Sequence, residues 1–186
     1  MNLPRFNEVS YAHFITTKTF ENKKIFSDKN CCEILVSDID FYSGKLGFQL
    51  IGYCIMPDHL HLIIWWDVEG NNDLNISKVM HRIKGLSAQN LSRYLLGSRG
   101  VSASTESQGT KALSTLSKKH VMKIWQPSFY DFNIYSDNKL NEKLNYIHYN
   151  PVRAGLCAEP EDWIWSSYSY YKFGKQGKIN INNITK

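Results

Sequence analysis

Two apolar segments joined by a Pro-Asp turn constrain the fold of this chain more than any other feature. Residues 48–56 and 59–66 are rich in β-branched and aromatic residues, and only Pro57 and Asp58 separate them. Proline presets φ for a turn, and an aspartate side chain can hydrogen-bond the turn backbone. Two strands so close in sequence pair as an antiparallel hairpin. The chain therefore contains a β-sheet, and an all-helical fold is excluded.

The order of the other periodic segments predicts the sheet to which this hairpin belongs. Residues 11–17 and 129–135 have the composition of strands, whereas apolar residues recur at helical spacing over 28–42, 75–96 and 138–150. The order strand, helix, strand, strand, helix, strand is the ferredoxin-like split βαβ pattern. We expect an α+β fold with a four-stranded antiparallel sheet, two helices on one face and a C-terminal helix that bears a tyrosine.

Two changes in composition divide the chain. The segment 97–119 is rich in Gly and Ser, lacks apolar periodicity, and is predicted to be a flexible insertion loop. We predict a main domain over 1–156 and a basic, aromatic C-terminal extension over 157–186, because no acidic residue follows Asp162. Cations and rings together suit a nucleic-acid strand. The extension could equally pack its rings on the core and leave its lysines in solvent.

Composition limits the class of protein. The chain has 22 Lys and Arg against 17 Asp and Glu, a net charge of +5 that is compatible with nucleic-acid binding. No apolar run approaches the roughly 20 residues of a bilayer span, and no apolar signal core follows the N-terminus. We therefore expect a cytoplasmic protein without membrane contact. The four cysteines form no Cys-x-x-Cys pair, which argues against a zinc knuckle or a disulfide framework.

His59 and His61 are the first candidates for chemistry. Side chains alternate along a strand, so both imidazoles point to the same face, roughly 6–7 Å apart, where they can converge on one divalent ion. Leu60 and Leu62 then point to the opposite face, which predicts one helix-covered face and one polar, functional face. A single histidine on a strand is usually structural, whereas two on the face away from the core favour a metal site.

Tyr146 and Asn150 are the second candidates. They lie four residues apart, on one side of the predicted helix whose buried residues include Leu144 and Ile147. A carboxamide oxygen is a weak, hard ligand that suits Mg²⁺ or Mn²⁺. Because the residue before a proline avoids helical φ/ψ, Asn150 is expected at the helix end. On this segment alone, a packing tyrosine and a turn-capping asparagine are the simpler interpretation.

Taken together, the two segments resemble the HUH endonucleases and, more narrowly, the REP-associated tyrosine transposases. The residues that carry the resemblance are Met56-Pro57-Asp58-His59-Leu60-His61-Leu62 and Tyr146-Ile147-His148-Tyr149-Asn150-Pro151-Val152-Arg153-Ala154-Gly155-Leu156. Segments 125–131 and 163–168 are similar to that family too. Asp58 stands where the family often carries Asn, and it either orients His59 or only forms the turn.

The resemblance implies metal-dependent cleavage and rejoining of single-stranded DNA, beside a hairpin, by the 1–156 domain. It implies Tyr146 as the nucleophile, through a 5′-phosphotyrosine intermediate, and a Mg²⁺ or Mn²⁺ ion bound by His59, His61 and Asn150. The expected partner is single-stranded or hairpin DNA, and both a monomer and a homodimer stay open. The residues expected to contact DNA are Lys78, Arg82, Lys84, Arg93, Arg153, Lys172 and Lys175.

Two other interpretations stay open at this point. A catalytically silent DNA-binding protein derived from such an enzyme would keep the basic surface and would not need the site. A metal-dependent phosphodiesterase that activates water would use the histidines but would not need Tyr146.

Overall fold

A four-stranded antiparallel sheet forms the centre of the protein. We describe a computed structural model over residues 11–68, 73–97 and 122–181. The strands are β1 (Ala12–Lys18), β2 (Gln49–Met56), β3 (His59–Trp65) and β4 (Tyr130–Ile134). Their order is β2-β3-β1-β4, and every neighbouring pair is antiparallel. This order is the one that a split βαβ unit produces, so the predicted ferredoxin-like α+β fold is confirmed.

Helices α1 (Lys29–Leu46) and α2 (Ile76–Gly97) pack together on one face of the sheet. The side chain of Asp28 caps the start of α1 by accepting a hydrogen bond from the N–H of Asn30. The helix ends at Gly47, whose φ of 72° is left-handed and favours glycine. The main core lies between these helices and the sheet, and it includes Ile15, Leu35, Ile39, Leu60, Leu62, Ile64, Met80 and Ile83. As predicted, Leu60 and Leu62 face the helices.

Helix α3 (Asp137–His148) covers the other face of the sheet. The Ser136 side chain accepts a hydrogen bond from the N–H of Lys139 and caps the helix start. A second apolar cluster lies beneath α3, and it includes Phe14, Ile51, Ile63, Leu140, Leu144 and Ile147. The prediction of a polar second face was therefore wrong for the part that α3 covers. The face is apolar under α3 and polar beside it, because α3 has its own apolar stripe to bury.

Gly52 on β2 permits the close approach of α3. A Cβ at this position would lie 2.8 Å from the Cδ2 of Leu144 and 3.3 Å from the Cδ1 of Ile147. The strand is irregular at this point, since the β2–β3 register shifts between Leu50 and Gly52. The missing side chain thus lets the tyrosine-bearing helix lie close to the sheet.

The predicted helix over 138–150 is divided in the structure. Helix α3 ends at His148, and a one-turn helix, α4 (Asn150–Arg153), follows. Pro151 has no N–H to donate, and its ring clashes with the preceding turn of a helix, so a regular helix is kinked or broken before it. Asn150 lies at a helix end as expected, but that end is the start of α4.

The C-terminal segment lies along β2, which is an edge strand of the sheet. The N–H of Ile55 donates to the carbonyl oxygen of Trp165 (2.9 Å), and the N–H of Ser167 donates to that of Tyr53 (3.0 Å). The short helix α5 (Tyr168–Phe173) follows. Open edge strands invite pairing with other chains, so this segment protects the sheet on that side.

Aromatic residues of this segment pack against the sheet. The indole N–H of Trp163 donates to the carbonyl oxygen of Ile55 (3.0 Å), and the hydroxyl of Tyr171 donates to that of Ile51 (2.7 Å). Among the described residues, Lys172 of α5 and the two lysines after it, Lys175 and Lys178, are exposed. The structure therefore shows that the Trp163 and Tyr171 rings pack on the sheet. The predicted domain boundary after residue 156 stays a prediction.

The predicted insertion loop over 97–119 lies outside the described residues, apart from Gly97 at the end of α2. Within the described parts of the chain, no helix combines the length and the apolar character that crossing a membrane requires.

Candidate active site

Strand β3 places His59 and His61 on the face that α3 covers. Their ring centroids are 4.8 Å apart and their planes are nearly perpendicular, at 84°. His61 is buried with 1% of its surface exposed, whereas the His59 side chain is 18% exposed. The alternation of the strand therefore brings the two imidazoles together as predicted, one inside the protein and one at its surface.

A hydrogen bond at Nδ1 orients each imidazole. Nδ1 of His59 lies 2.6 Å from Oδ1 of Asp58, and Nδ1 of His61 lies 2.8 Å from Oγ1 of Thr16. A carboxylate only accepts, so His59 carries its proton on Nδ1, which leaves Nε2 as the nitrogen with a free lone pair. Asp58 thus orients His59 as well as forming the turn. Partners of this kind fix the orientation of metal-binding imidazoles.

Asn150 closes the site from the start of α4. Its Nδ2 lies 2.7 Å from Nε2 of His61. The amide N–H₂ donates, so Nε2 of His61 accepts and Nδ1 donates its proton to Thr16. Both ring nitrogens of the buried His61 therefore have a hydrogen-bond partner, as is usual for buried polar groups.

Burial keeps His61 neutral. Loss of solvation and, less strongly, the neighbouring basic residues His59, Arg153 and Lys18 lower the pKa of His61 to about 3. The imidazole consequently holds no extra proton near neutral pH, which is the state that a metal ligand requires.

Tyr146 lies at the open side of this group. Its ring centroid is 5.4 Å from that of His61, with planes at 78°, and its side chain is 45% exposed. Phe14 lies beneath both residues, 5.9 Å from Tyr146 and 5.7 Å from His61 between ring centroids. The phenol, the two imidazoles and the amide therefore meet at one place, with the phenol accessible to a ligand from solvent.

Arg153 lies over the Tyr146 ring, 5.0 Å from its centroid. Its guanidinium also donates to the backbone carbonyl oxygen of Tyr146. Carbonyl groups in the last turn of a helix lack partners within that helix, so the break before α4 leaves this carbonyl available. The bond holds a cation beside the phenol.

Comparison with known proteins identifies the family. Residues 7–150 match the family model described as "Transposase IS200 like". The chain belongs to the IS200-like transposase family. It is 30% identical over 121 residues to the provisionally named REP-associated tyrosine transposase of Haemophilus influenzae, and 25% identical over 121 residues to the REP-associated tyrosine transposase of Escherichia coli. The resemblance that the motifs indicated is thus confirmed.

The aligned region covers 65% of this chain and only 59% and 54% of those two relatives, a little over half of their length. A solved structure of a REP-associated tyrosine transposase bound to a REP hairpin superposes with a TM-score of 0.65. That comparison covers 100% of this chain and 94% of the other, at 17% sequence identity. At this identity the likeness concerns the fold.

The residues of this IS200-like site fit a divalent cation. The described part of the chain has no group of three or more His, Cys, Asp or Glu that could hold a metal, but this set combines two imidazoles with a carboxamide. Nε2 of His61 and the Asn150 amide are 2.7 Å apart, close to the roughly 3 Å between neighbouring ligands on a cation with bonds of about 2.1 Å. A half-turn of the amide would present Oδ1, a hard ligand, in the same place.

The predicted DNA-contact residues lie in several parts of the structure. Lys78, Arg82 and Arg93 are exposed on α2, which covers the face of the sheet opposite to α3. Lys84 donates instead to three backbone carbonyl oxygens, of residues 126, 127 and 128. Of the predicted cations, the structure brings only Arg153 against Tyr146. Contact of the others with DNA, including the exposed Lys172 and Lys175, stays a prediction.

Sequence reasoning missed Phe14, Thr16 and Lys143. Phe14 and Thr16 lie two residues apart on β1 and therefore point to the same face. Ferredoxin-like order makes β1 the neighbour of β3, so the sequence could have predicted both residues beside the histidines. Lys143 lies one turn before Tyr146 on the same side of α3, with Nζ 5.2 Å from the Phe14 ring centroid.

Proposed function

We propose that this protein cleaves and rejoins single-stranded DNA beside hairpins, with Tyr146 as the nucleophile. The observation that carries the proposal is the meeting of an exposed phenol with a buried, neutral His61 that Asn150 contacts. Membership of the IS200-like transposase family supports DNA strand transfer. The similar fold of a transposase bound to a REP hairpin supports hairpin DNA as the substrate.

The reaction exchanges one phosphodiester bond for another and so conserves the bond energy. The phenol oxygen of Tyr146 attacks phosphorus and loses its proton to solvent, the Oη–P bond forms, and the bond from phosphorus to O3′ breaks. The departing oxygen takes up a proton and leaves as a 3′-hydroxyl, which gives a 5′-phosphotyrosine. A 3′-hydroxyl of another strand can then attack this phosphotyrosine, release the phenol and restore a phosphodiester without an external energy source.

The residues around Tyr146 lower the electrostatic cost of this attack. A phenol has a pKa near 10, and a phosphodiester repels an approaching phenolate. The Arg153 guanidinium, 5.0 Å from the centroid of the Tyr146 ring, attracts the phosphate and offsets the charge that repels the nucleophile. Phe14 holds the ring from below, so the nucleophile is positioned before DNA arrives.

His59, His61 and Asn150 would hold the Mg²⁺ or Mn²⁺ ion that the family resemblance implies. When bound, such an ion offsets the negative charge that develops on phosphate oxygens. Asp58 and Thr16 fix the imidazoles so that Nε2 of each is the nitrogen available to it. Because His61 is already neutral, binding releases no proton from this residue.

Covalent trapping tests the proposal. The protein is incubated with a labelled library of single-stranded DNA hairpins that carry random flanks, together with MnCl₂ or MgCl₂, and is analysed on a denaturing gel. We expect a protease-sensitive DNA–protein band that EDTA abolishes. DNA binding without any band or cleavage would instead identify a catalytically silent binding protein. Cleavage without a band would identify a phosphodiesterase that uses water.

A further inference from the structure

Tyr130 lies beside the proposed active site, on the strand beyond β1. In the sheet register Tyr130 is opposite Thr16, and Thr16 is opposite His61. Directly opposed residues point to the same face, so these three side chains form one row across the sheet. Two strand spacings, about 10 Å, separate the backbones of Tyr130 and His61.

The Tyr130 ring is both supported and accessible. The residue is 55% exposed, and its ring lies edge-on to Phe14 at 6.2 Å between centroids. The same Phe14 ring contacts Tyr146 at 5.9 Å and His61 at 5.7 Å. A buried phenylalanine therefore sets the distance from Tyr130 to the nucleophile, while much of the tyrosine ring is open to solvent.

A cation accompanies this ring. Nζ of Lys143 lies 5.2 Å from the centroid of the same Phe14 ring, and its side chain is 20% exposed. Its ion-pair partner, Glu142, lies 3.4 Å away and shares its charge with Lys139 at 2.6 Å. The pair is long and the Glu142 side chain is 52% exposed, so the pair is weak and the ammonium can exchange this partner for a phosphate.

The two cations flank the nucleophile on different sides. Arg153 lies over the Tyr146 ring, and Lys143 lies one helical turn before it, with Nζ 4.9 Å from the ring centroid of Phe132 on β4. A single strand of DNA carries one phosphate per nucleotide, and it is bound by cations that follow its backbone and by rings that stack on its bases. The β4 side of the site offers one cation, Lys143, and one exposed ring, Tyr130.

We propose that Tyr130 and Lys143 form a nucleotide-binding edge next to the nucleophile. The Tyr130 ring stacks on a base adjacent to the scissile phosphate, and the Lys143 ammonium contacts the phosphate of that nucleotide. This inference rests on the proposed function, and it states where the single-stranded flank of the substrate lies. Because stacking tolerates any base, the edge sets the position of the strand and leaves base identity to other contacts.

Variants of Tyr130 test the stacking. The probe is a fluorescein-labelled hairpin oligonucleotide that the wild-type protein cleaves, chosen from the random-flank library. Tyr130→Ala should raise the half-saturating DNA concentration about 5- to 100-fold. Tyr130→Phe keeps the ring and should recover most of the affinity. A probe with an abasic site beside the cleavage position should bind the wild-type protein as weakly as the intact probe binds Tyr130→Ala.

Lys143→Gln tests the phosphate contact. The slope of log affinity against log salt concentration should become less negative by about 0.7, which is the change for one lost contact to a single strand. A purely structural lysine would not change this slope. Phe41→Ala is the control for Tyr130→Ala. It removes a ring of similar exposure (52%) from α1 on the opposite face, and it should leave both the DNA affinity and the salt slope at wild-type values.

Two negative results have different meanings. If the wild-type protein forms its adduct but Tyr130→Ala and the abasic probe bind as tightly as their counterparts, the nucleotide-binding edge is refuted and the proposed function stands. If the wild-type protein forms no adduct with any library member, both are refuted. A thermal melt checks the fold of each variant, and the abasic probe does not depend on any variant.

Discussion

The two faces of the sheet differ in what they bury. The face under α1 and α2 buries mainly apolar side chains in the larger core cluster. The face under α3 combines a smaller apolar cluster with His61, whose two nitrogens both have hydrogen-bond partners. Apolar packing tolerates rearrangement better than a buried polar network does. The same strands can therefore support stability on one face and a fixed chemical arrangement on the other.

Adjacent threonines on β1 show this difference within two residues. Oγ1 of Thr16 points to the α3 face and lies 2.8 Å from Nδ1 of His61. Thr17 points to the helix face and is buried, and none of the described residues forms a hydrogen bond with its Oγ1. The Thr16 hydroxyl is thus hydrogen-bonded to an imidazole of the site, whereas the Thr17 hydroxyl is only packed in the core.

Tyr146→Phe should have the largest effect, because it removes the oxygen that we propose as the nucleophile and keeps the ring. We expect loss of the covalent adduct and a fall in cleavage rate of at least roughly 10³-fold. Gel assays with the labelled hairpin probe measure both. Tyr149→Phe is the matched control, since this tyrosine is 42% exposed but contacts Tyr168 at 6.4 Å. Cleavage by Tyr146→Phe at the wild-type rate would contradict the assignment.

Buried titratable groups give the two faces opposite pH dependence. Burial lowers the pKa of His61 from 6.5 to about 3, and that of His148 on α3 from 6.5 to about 4. Below pH 6.5 the unfolded chain binds protons at these residues that the folded protein does not, so stability falls as pH falls. Burial raises the pKa of Asp38 on α1 to about 6, so the folded protein keeps a proton there and gains stability as pH falls.

We therefore expect the free energy of unfolding to decrease between pH 7 and pH 4, by on the order of 3 kcal/mol for each histidine, partly offset by Asp38. Urea denaturation at a series of pH values measures this slope. Asp38→Asn should make the decrease steeper, and His148→Gln should make it shallower. A stability that rises as the pH falls over this range would show that the histidines do not dominate.

Replacing each threonine separates positioning from packing. Thr16→Val should weaken Mn²⁺-dependent cleavage about 10- to 100-fold, because partners of this kind orient metal-binding imidazoles. Thr17→Val should leave cleavage at the wild-type level and change the free energy of unfolding by less than about 1 kcal/mol. Titrations of cleavage against Mn²⁺ and urea denaturation measure the two effects. Equal cleavage by both variants would remove the positioning role from Thr16.

Lys84→Met should have the smallest effect, and only on stability. The lysine side chain donates to three carbonyl oxygens, at 2.7, 3.1 and 3.2 Å, and burial lowers its pKa. We expect a loss of about 1–2 kcal/mol of unfolding free energy, against less than about 0.5 kcal/mol for Arg82→Ala on the exposed side of α2. Urea denaturation and DNA-binding assays compare the pair. Weaker DNA binding by Lys84→Met with unchanged stability would support the predicted contact of Lys84 with DNA.

The sequence by itself determined the local arrangements. Alternation along β3 placed His59 and His61 on one face, the order of periodic segments predicted the sheet, and the spacing of Tyr146 and Asn150 placed them one helical turn apart. Each of these is a property of neighbouring residues in one element, so a strand or helix period is enough to find it. The family resemblance then joined the two segments into one site.

Only the tertiary structure decided which elements meet. Packing of α3 against the second apolar cluster, across Gly52, brings Tyr146 beside His61 and adds Thr16 and Lys143 to the site. The same topology places α2 on the opposite face, where the Lys84 ammonium donates hydrogen bonds to backbone carbonyl oxygens. These outcomes depend on strand order and on which apolar stripe covers which face, and periodicity within one element carries no information about either.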